Sequence, residues 1–381
     1  APVINCLDSD LIIVAGANPT VNHPVAASFM KNAVKSGAEM IVMDPRLNGL
    51  KNYSGHFLQF APGTDVAMLN GIINVIIEEE LYNKQYVDTF TEGFSEYSQH
   101  ILKYPPEKME PICKVAATEI RAVARKIASA KAAMIFWGMG IAQHTHGTDN
   151  ARCLIALALL CGHIGKKGTG LHPLRGQNNV QGASDAGLIP MMYPDYKLVE
   201  DVEAREFYEE FWQVDLDKKA GLTVVEIMDA VYKNEIRFMY IMGENPAMSD
   251  PDTAHARKAL SKLNHLVVQD IFLTETAAFA DVILPASAWP EKDGSVTNTD
   301  RRVQLGSKVV NSPGDARPDW LIIRDLANLL GLNWIYDSPR DIHNEMTKCM
   351  PSMENIPWKR LEKEGSVTYP TVDKKSPGQE I

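Results

Sequence analysis

Paired-cysteine motifs are missing from this sequence: its five cysteines, Cys6, Cys113, Cys153, Cys161 and Cys349, are odd in number and no two are spaced Cys-x-x-Cys. That excludes a disulfide framework, and an iron–sulfur or zinc site made by this chain alone, and it fits a reducing, cytoplasmic compartment. Long apolar runs are also missing. The most apolar stretch, Cys153 to Cys161, is far too short to cross a bilayer and reads as a buried helix. No signal peptide is visible. Positive charge is in deficit, with 38 Lys and Arg against 48 Asp and Glu, a net charge of -10. Nucleic acid and anionic membranes both want a basic face, so neither is expected as a partner. An anionic ligand must instead be held by local donors. Two phosphate motifs fail to appear: no Gly-x-Gly-x-x-Gly follows the first strand, and no Walker A sequence ends in Gly-Lys-Ser/Thr. An ordinary NAD site and a P-loop nucleotidase are thereby disfavoured. The chain opens at Ala1 without a methionine, shortly before a buried-type strand, and is expected to be part of something longer.

What is present is an ordinary globular composition, 45% hydrophobic and 23% charged, over 381 residues, enough for two or three domains. Leu11 to Ala15 is a short apolar run ended by Gly16, as expected of a parallel strand buried on both faces. Residues 23–36 read as a helix and Met40 to Met43 as the next strand, stopped by Asp44-Pro45; together they make one βαβ unit. Helices are expected at Asp65 to Glu80, with Thr64 as its N-cap, at Ala116 to Ala130 and at Ala151 to Cys161. Ala133 to Trp137 is a buried-type strand closed by Gly138-Met139-Gly140. Gly165 to Gly182 lacks periodicity and reads as a long ordered loop, which in a compact domain is often functional.

After a charged helix, Asp201 to Trp212, the opening order recurs. Phe238 to Met242 is a strand ended by Gly243, Thr253 to Leu263 a helix, Leu266 to Val268 a strand followed by Gln269-Asp270, and Val282 to Leu284 a further strand. The same turn thus occurs twice: Gly16-Ala17-Asn18-Pro19 and Gly243-Glu244-Asn245-Pro246. The fold class expected is α/β, two Rossmann-like open-sheet domains related by an internal Gly-x-Asn-Pro repeat. The tail from Lys363 is expected to be loosely held.

In an open parallel sheet, ligands bind beyond the carboxyl ends of the strands, where a glycine lets backbone approach and the next helix offers N–H groups. Asn18 and Asn245 can donate and accept there. A single Asn-Pro turn is common; two in the same structural position point to a cofactor with two nucleotide ends. Asp44 and Asp270 each end the strand after the turn, where a carboxylate can accept from a ribose hydroxyl or from the N1–H and N2–H of a guanine, or else serve as a turn residue. The octad Arg175-Gly176-Gln177-Asn178-Asn179-Val180-Gln181-Gly182 holds a guanidinium, four side-chain amides and two glycines. Arg175 could clamp a carboxylate with two parallel hydrogen bonds. His144 and His146 lack further metal ligands and read better as a surface or core pair. Asp293-Gly294 with Asn298, Asp300, Arg301 and Arg302 reads as a polar loop facing a ligand or as a solvated turn. The helix bearing Glu203, Glu206, Glu209 and Glu210 reads as a solvated face. No metal ligand is assigned.

These stretches, GANPTVNHP at 16–24, MDPR at 43–46, PGTD at 62–65, GMG at 138–140, RGQNNVQG at 175–182, GENP at 243–246, VQDIF at 268–272, DVILPA at 281–286 and TNTDRRVQ at 297–304, resemble the catalytic subunit of molybdenum- or tungsten-dependent formate dehydrogenases, within the molybdopterin oxidoreductase family. The resemblance covers nearly the whole chain, and RGQNNVQG is its most specific element. It implies two pyranopterin guanine dinucleotides holding one Mo or W, with Gly16, Asn18, Asp44 and Asp65 near one and Gly243, Asn245 and Asp270 near the other. Arg46, Gly63, Gly138, Gly140, Gln177 and Gln269 complete the implied cofactor positions. Arg175 is implied to orient formate beside the metal. The implied domains are 1–177 and 178–340, each binding one guanine dinucleotide, then an extension over 341–381; residues 290–318 are expected against an iron–sulfur domain. The implied partners are formate and electron-transfer subunits, or a ferredoxin- or NAD-linked partner.

The family's N-terminal cysteine cluster for a [4Fe–4S] centre has no counterpart here, nor has the Cys or selenocysteine that ligates the metal, the histidine after it, or the C-terminal pterin-binding domain. The isolated chain is therefore expected to be inactive. Two other readings stay open: a homologous subunit that has lost the cofactor and serves as a scaffold, and another oxidoreductase of the superfamily.

Overall fold

The computed structural model describes residues 2–378. They form two compact units: one reaches to Val180 and includes residues 298–302, and the other comprises Gln181–Thr297 and Val303–Gly378. Among them are mixed α and β elements with two parallel sheets.

The first unit is built on five strands, β1 (Leu11–Ala15), β2 (Glu39–Met43), β3 (His56–Leu58), β4 (Ala133–Trp137) and β5 (Gly170–Pro173), in the order β3-β2-β1-β4-β5. Every neighbouring pair is parallel. All five residues of β1 are buried, as an apolar run flanked by strands on both edges and helices on both faces requires. Its side chains alternate between two cores. Leu11, Ile13 and Ala15 join the helices Asp65–Glu78, Ala117–Ser129 and Gly147–Cys161 through Leu69, Ile120 and Leu157. Ile12 and Val14 meet Met30 and Ala33 of the helix Pro24–Lys35. The chain order reverses about β1, which puts the carboxyl ends of β1 and β4 at a topological switch point.

Three sequence expectations need correction here. The stretch 165–182 is not loop throughout: Gly170–Pro173 is the edge strand β5, too short and too rich in Gly, His and Pro to show as an apolar run, and a helix begins at Val180. Thr64 does not cap the helix Asp65–Glu78 with its side chain; its hydroxyl donates to the Ala61 carbonyl at 2.6 Å. The tail after Lys363 is packed as far as Thr371 and exposed over residues 372–375. In it, β13 (Ser366–Thr368) extends a sheet, and Val367 and Tyr369 are buried.

The second unit opens with a two-stranded antiparallel ladder, β6 (Met192–Tyr193) and β7 (Lys197–Leu198). Its parallel sheet has the order β10-β9-β8, from β8 (Phe238–Met242), β9 (His265–Asp270) and β10 (Val282–Pro285). Leu266 and Val268 of β9 pack on one face against Met228, Val231, Ala259 and Leu260 of the helices Val224–Tyr232 and Thr253–Leu260. The antiparallel pair β11 (Gly294–Thr297) and β12 (Arg302–Gly306), continued by β13, covers a separate core. There Tyr208 of the helix Val202–Trp212, on the side away from its exposed Glu203, Glu206 and Glu210, is 1% exposed among Tyr193, Met350, Met353 and Leu361. Its hydroxyl donates towards the carbonyls of Pro194 and Cys349 at 3.0 and 3.1 Å. Tyr208→Phe leaves both carbonyls without that donor, so a loss of about 1–3 kcal/mol is expected in urea unfolding. A change within a few tenths would show that the hydroxyl is dispensable.

The five cysteines are free. Burial pushes the thiols of Cys6 and Cys161 up to about 12, so both are protonated and inert at neutral pH. No helix among the described residues is long and apolar enough to cross a membrane.

Candidate functional site

The two Gly-x-Asn-Pro segments adopt the same turn. Gly16 follows β1 with φ +52° and Gly243 follows β8 with φ +63°, a region open to glycine at little steric cost. The Gly16 N–H donates to the Met43 carbonyl at 2.8 Å, and the Gly243 N–H to the Gln269 carbonyl at 2.9 Å. Each therefore ties the end of one strand to the end of its neighbour. Asn18 (φ -122°, ψ 72°) and Asn245 (φ -123°, ψ 64°) each open a one-turn helix with proline next, at Pro19–Asn22 and Pro246–Ser249.

The aspartates repeat as well. Asp44 Oδ1 accepts from the Arg46 N–H at 2.7 Å, and Asp270 Oδ1 from the Ile271 and Phe272 N–H groups at 2.6 and 3.3 Å. Each carboxylate is thus turned by its own backbone through Oδ1, and Asp44 Oδ2 also accepts from Asn48 Nδ2 at 3.4 Å. Burial pushes the Asp44 carboxyl above its usual range, opposed by the Arg46 N–H, the Asn48 side chain and the Arg46 charge.

In the first unit a cleft of about 360 Å³ lies over the carboxyl ends of β1, β2, β4 and β5. It brings together Gly16, Asn18, Asp44, Gly138, Gly140 and Gln177 of the expected residues. The glycines serve more than ligand approach. A Cβ on Gly16 would lie 2.6 Å from the backbone of Gly140 and Ile141, and one on Gly140 would lie 2.5 Å from the Gly16 carbonyl oxygen. The Gly140 N–H donates to that same oxygen at 3.0 Å. The turns after β1 and β4 are therefore in backbone contact. Gly176 differs: its φ needs no glycine and a Cβ would meet nothing within 4 Å, so its missing side chain only widens the cleft.

Four expected residues are not in that lining. Arg46 is exposed beside Asp44. Gly63 is exposed with φ +78° and open space around it. Asp65 sits in the first turn of its helix, 1% exposed, with Oδ1 lacking a hydrogen-bond partner among the described residues. Burial pushes its carboxyl up, while its own backbone N–H and the charge of His144 pull the other way. Arg175 is half-buried just past β5, and its Nε is buried without a hydrogen-bond partner among the described residues.

In the second unit the residues are further apart in character. Gly243 is exposed and has no neighbour within 4 Å of a Cβ. Asn245 is locked, with Oδ1 accepting from the Thr276 N–H and hydroxyl at 3.1 and 2.7 Å and Nδ2 donating to Glu275 at 2.7 Å. Gln269 is fully buried. Its amide accepts from the Tyr240 hydroxyl and donates to Asp319 at 2.8 Å, and Asp319 pairs with Lys292. A depression of about 300 Å³ near the ends of β9 and β10 is lined by Ile271, Phe272, Pro285 and Ala286.

Three cleft or loop contacts escaped the sequence reading. His23 and His144 line the cleft, and His144 Nε2 lies 2.7 Å from the Gly140 carbonyl oxygen. Thr299 reaches the Arg175 backbone. His23 and Thr299 fall inside the quoted segments 16–24 and 297–304, but nothing in their spacing marks a target. No cluster of three or more His, Cys, Asp or Glu suited to a metal occurs among the described residues. The arrangement can thus hold polar, N–H-bearing groups against carboxylates and an anion against Arg175.

Comparison with known proteins gives three findings. The model of the family described as molybdopterin oxidoreductase matches residues 2–329. Among curated relatives, the alpha subunit of an F420-dependent formate dehydrogenase of Methanocaldococcus jannaschii is 47% identical over 375 residues, 98% of this chain and 55% of that one. Formate dehydrogenase H of Escherichia coli is 40% identical over 372 residues, 97% of this chain and 52% of that one. The chain therefore spans about half the length of the curated relatives it matches. Among solved structures, acetylene hydratase from Pelobacter acetylenicus shares the fold, with a TM-score of 0.77 at 22% identity over 97% of this chain and 55% of that one.

Proposed function

The chain belongs to the molybdopterin oxidoreductase family, and on that footing we propose that it is the formate-binding and dinucleotide-binding part of a formate dehydrogenase catalytic subunit, oxidising formate to CO2, a proton and two electrons. The observation that carries the substrate is Arg175. A guanidinium whose Nε is buried without a partner is costly unless an acceptor arrives. A small carboxylate offers two oxygens to two N–H groups in a plane. Formate relatives on two branches support the same choice.

The cofactor proposed is a pair of pyranopterin guanine dinucleotides bearing molybdenum or tungsten, one held by a Rossmann-like domain over residues 1–177 and the other by a second over 178–340, the two related by an internal Gly-x-Asn-Pro repeat, with 341–381 as an extension. The residues fit such a group. Asp44 and Asp270, each with one oxygen turned to its own backbone, can accept from guanine N–H groups with the other, on Asp44 through the lone pair that Asn48 Nδ2 leaves open. Asp65 keeps a buried oxygen in want of a donor. The closely apposed glycines after β1 and β4 bare the backbone along the cleft. When bound, the metal supplies the two-electron acceptor. Arg175 binds the carboxylate oxygens, fixing the C–H on the far side of the anion, and that orientation is the chain's own contribution to rate. We place the activity in the cytoplasm, in company with electron-transfer subunits, and propose that residues 1–381 alone do not turn over.

The test uses the full-length protein purified with its cofactor. Acid release of guanine nucleotide should give two per metal, with Asp44→Ala and Asp270→Ala each giving up one, and formate should reduce a viologen dye. Protein that carries metal but releases no guanine nucleotide would remove the cofactor assignment. Reduction by another substrate but not by formate would remove the substrate.

A further inference from the structure

Arg175 stands just beyond the last rung of β5, where the Leu174 N–H donates to the Trp137 carbonyl at 2.8 Å. From there its two flanking peptide groups leave the ladder and need other partners. Both find them in side chains distant in sequence. His23 Nε2 lies 2.6 Å from the Arg175 carbonyl oxygen. The Arg175 N–H donates to Thr299 Oγ1 at 3.3 Å, and that hydroxyl donates on to the Pro173 carbonyl at 2.6 Å. The next residues, Gly176, Gln177 and Asn178, are exposed. The root of the guanidinium is thus pinned from both sides, whereas residues 176–178 lie open to solvent.

The pins come from separate parts of the first unit. His23 closes the first Gly-x-Asn-Pro segment, and Pro24 starts the next helix. Thr299 lies in the tip at 298–302, itself held by the Val3 N–H on Asp300 Oδ2 at 3.2 Å and by the Asn298 N–H on the Arg302 carbonyl at 2.9 Å. Because a carbonyl can only accept, Nε2 of His23 carries the proton; Nδ1 lies 2.9 Å from Asn22 Oδ1, a position that pairs with a neutral ring once the Asn22 amide is turned to present its NH2. The duplicated turn diverges at this position. Seven residues after Gly16 stands His23, followed by Pro24; seven after Gly243 stands Asp250, followed by Pro251. A carboxylate cannot donate to a carbonyl, so only the first copy is equipped to hold such a loop.

We propose that His23 and Thr299 are positioning residues that clamp the backbone of Arg175 and thereby aim its guanidinium at the anionic substrate, with His23 joining the first dinucleotide turn to the substrate arginine. This rests on the formate reading above for the identity of the anion, though not for the clamp. Misplacing a binding group by about 1 Å can cost on the order of a hundredfold in rate, so a lost pin should register in kinetics well before it registers in folding.

The experiment compares His23→Ala, His23→Gln, His23→Asn and Thr299→Val in the full-length holoenzyme, with Arg175→Ala as reference. Three quantities are read: formate KM and kcat, guanine nucleotide content, and amide exchange of the peptide spanning residues 174–178. His23→Ala and Thr299→Val are expected to speed exchange in that peptide and to raise formate KM by roughly tenfold; Thr299→Val, which lies outside the cleft lining, should do so at full nucleotide content, and the His23 variants are read per bound nucleotide. His23→Gln, whose Nε2 donates at about the same reach, should restore both; His23→Asn, which is shorter, should not. Unchanged exchange in His23→Ala overturns the clamp. Faster exchange with unchanged KM, while Arg175→Ala raises KM, overturns the positioning role. Should Arg175→Ala itself leave formate kinetics unaltered, the formate reading falls, and the exchange data with the Gln and Asn variants still decide the clamp.

Discussion

Replacing Arg175 with alanine in the full-length protein is expected to lower kcat/KM for formate by roughly two to four orders of magnitude. The reasoning starts from geometry. Arg175 sits past the edge strand β5 with its Nε buried and without a partner among the described residues, so the free protein already bears the desolvation of part of the guanidinium. An anion that supplies two charge-assisted hydrogen bonds recovers about 1.5–3 kcal/mol from each, or about 3–6 kcal/mol in all. At about 1.4 kcal/mol per decade that is the range stated. Both KM and kcat should suffer, because the same two bonds hold the anion and orient its C–H. Arg175→Lys keeps the charge and loses the planar fork, so it should recover part of the affinity and little of the turnover. Stopped-flow or steady-state dye reduction measures this directly. Unaltered formate kinetics in Arg175→Ala would take away the residue on which the substrate assignment stands.

Much of this was legible in the sequence, and the reasons are physical. The buried strands β1 and β4 announce themselves because a parallel strand covered on both faces must be apolar at every position, as Leu11 to Ala15 and Ala133 to Trp137 are, and β2 does so from Met40 onward. The duplicated turn is legible because a reversed backbone at Gly16 and Gly243, followed by Asn-Pro, is a local requirement written in adjacent residues. Edge strand β5 was not legible. Half its residues are only partly buried, and its pairing to β4 depends on partners over 30 residues away. The packed tail was missed for the same reason: Val367 and Tyr369 are buried by Tyr208 and Met353, which no local pattern reveals. In the cleft, Asp44 could be named from its place after a strand, whereas His23 and Thr299 act through a single backbone carbonyl and amide of Arg175. A side chain whose target is backbone leaves no complementary residue type to look for, so spacing cannot find it.

The two copies of the turn look alike in sequence, but their glycines should respond very differently to the same substitution. At Gly16 a Cβ would meet the Gly140 carbonyl carbon and the Ile141 nitrogen at 2.6 Å, and φ is +52°. Backbone atoms there cannot rotate away as a side chain could. Gly16→Ala therefore combines a left-handed conformation, about 1–2 kcal/mol, with overpacking of about 1–3 kcal/mol, for a loss of about 2–5 kcal/mol. At Gly243 φ is +63° but nothing lies within 4 Å, so only the conformational part remains. With roughly 2–4 °C per kcal/mol for a domain of this size, Gly16→Ala should lower the melting temperature of its transition by roughly 5–20 °C and Gly243→Ala by only a few degrees. Gly140→Ala should show the overpacking part alone, about 1–3 kcal/mol, because its Cβ would lie 2.5 Å from the Gly16 carbonyl oxygen but its φ is not left-handed. The clash also pushes apart the turns that line the first cleft, so Gly16→Ala should lose guanine nucleotide along with stability, while Gly243→Ala should retain it. Differential scanning calorimetry with nucleotide quantification reads both. Equal melting shifts in the two variants would mean that the contact between the turns after β1 and β4 contributes nothing, and that both glycines are there for their φ alone.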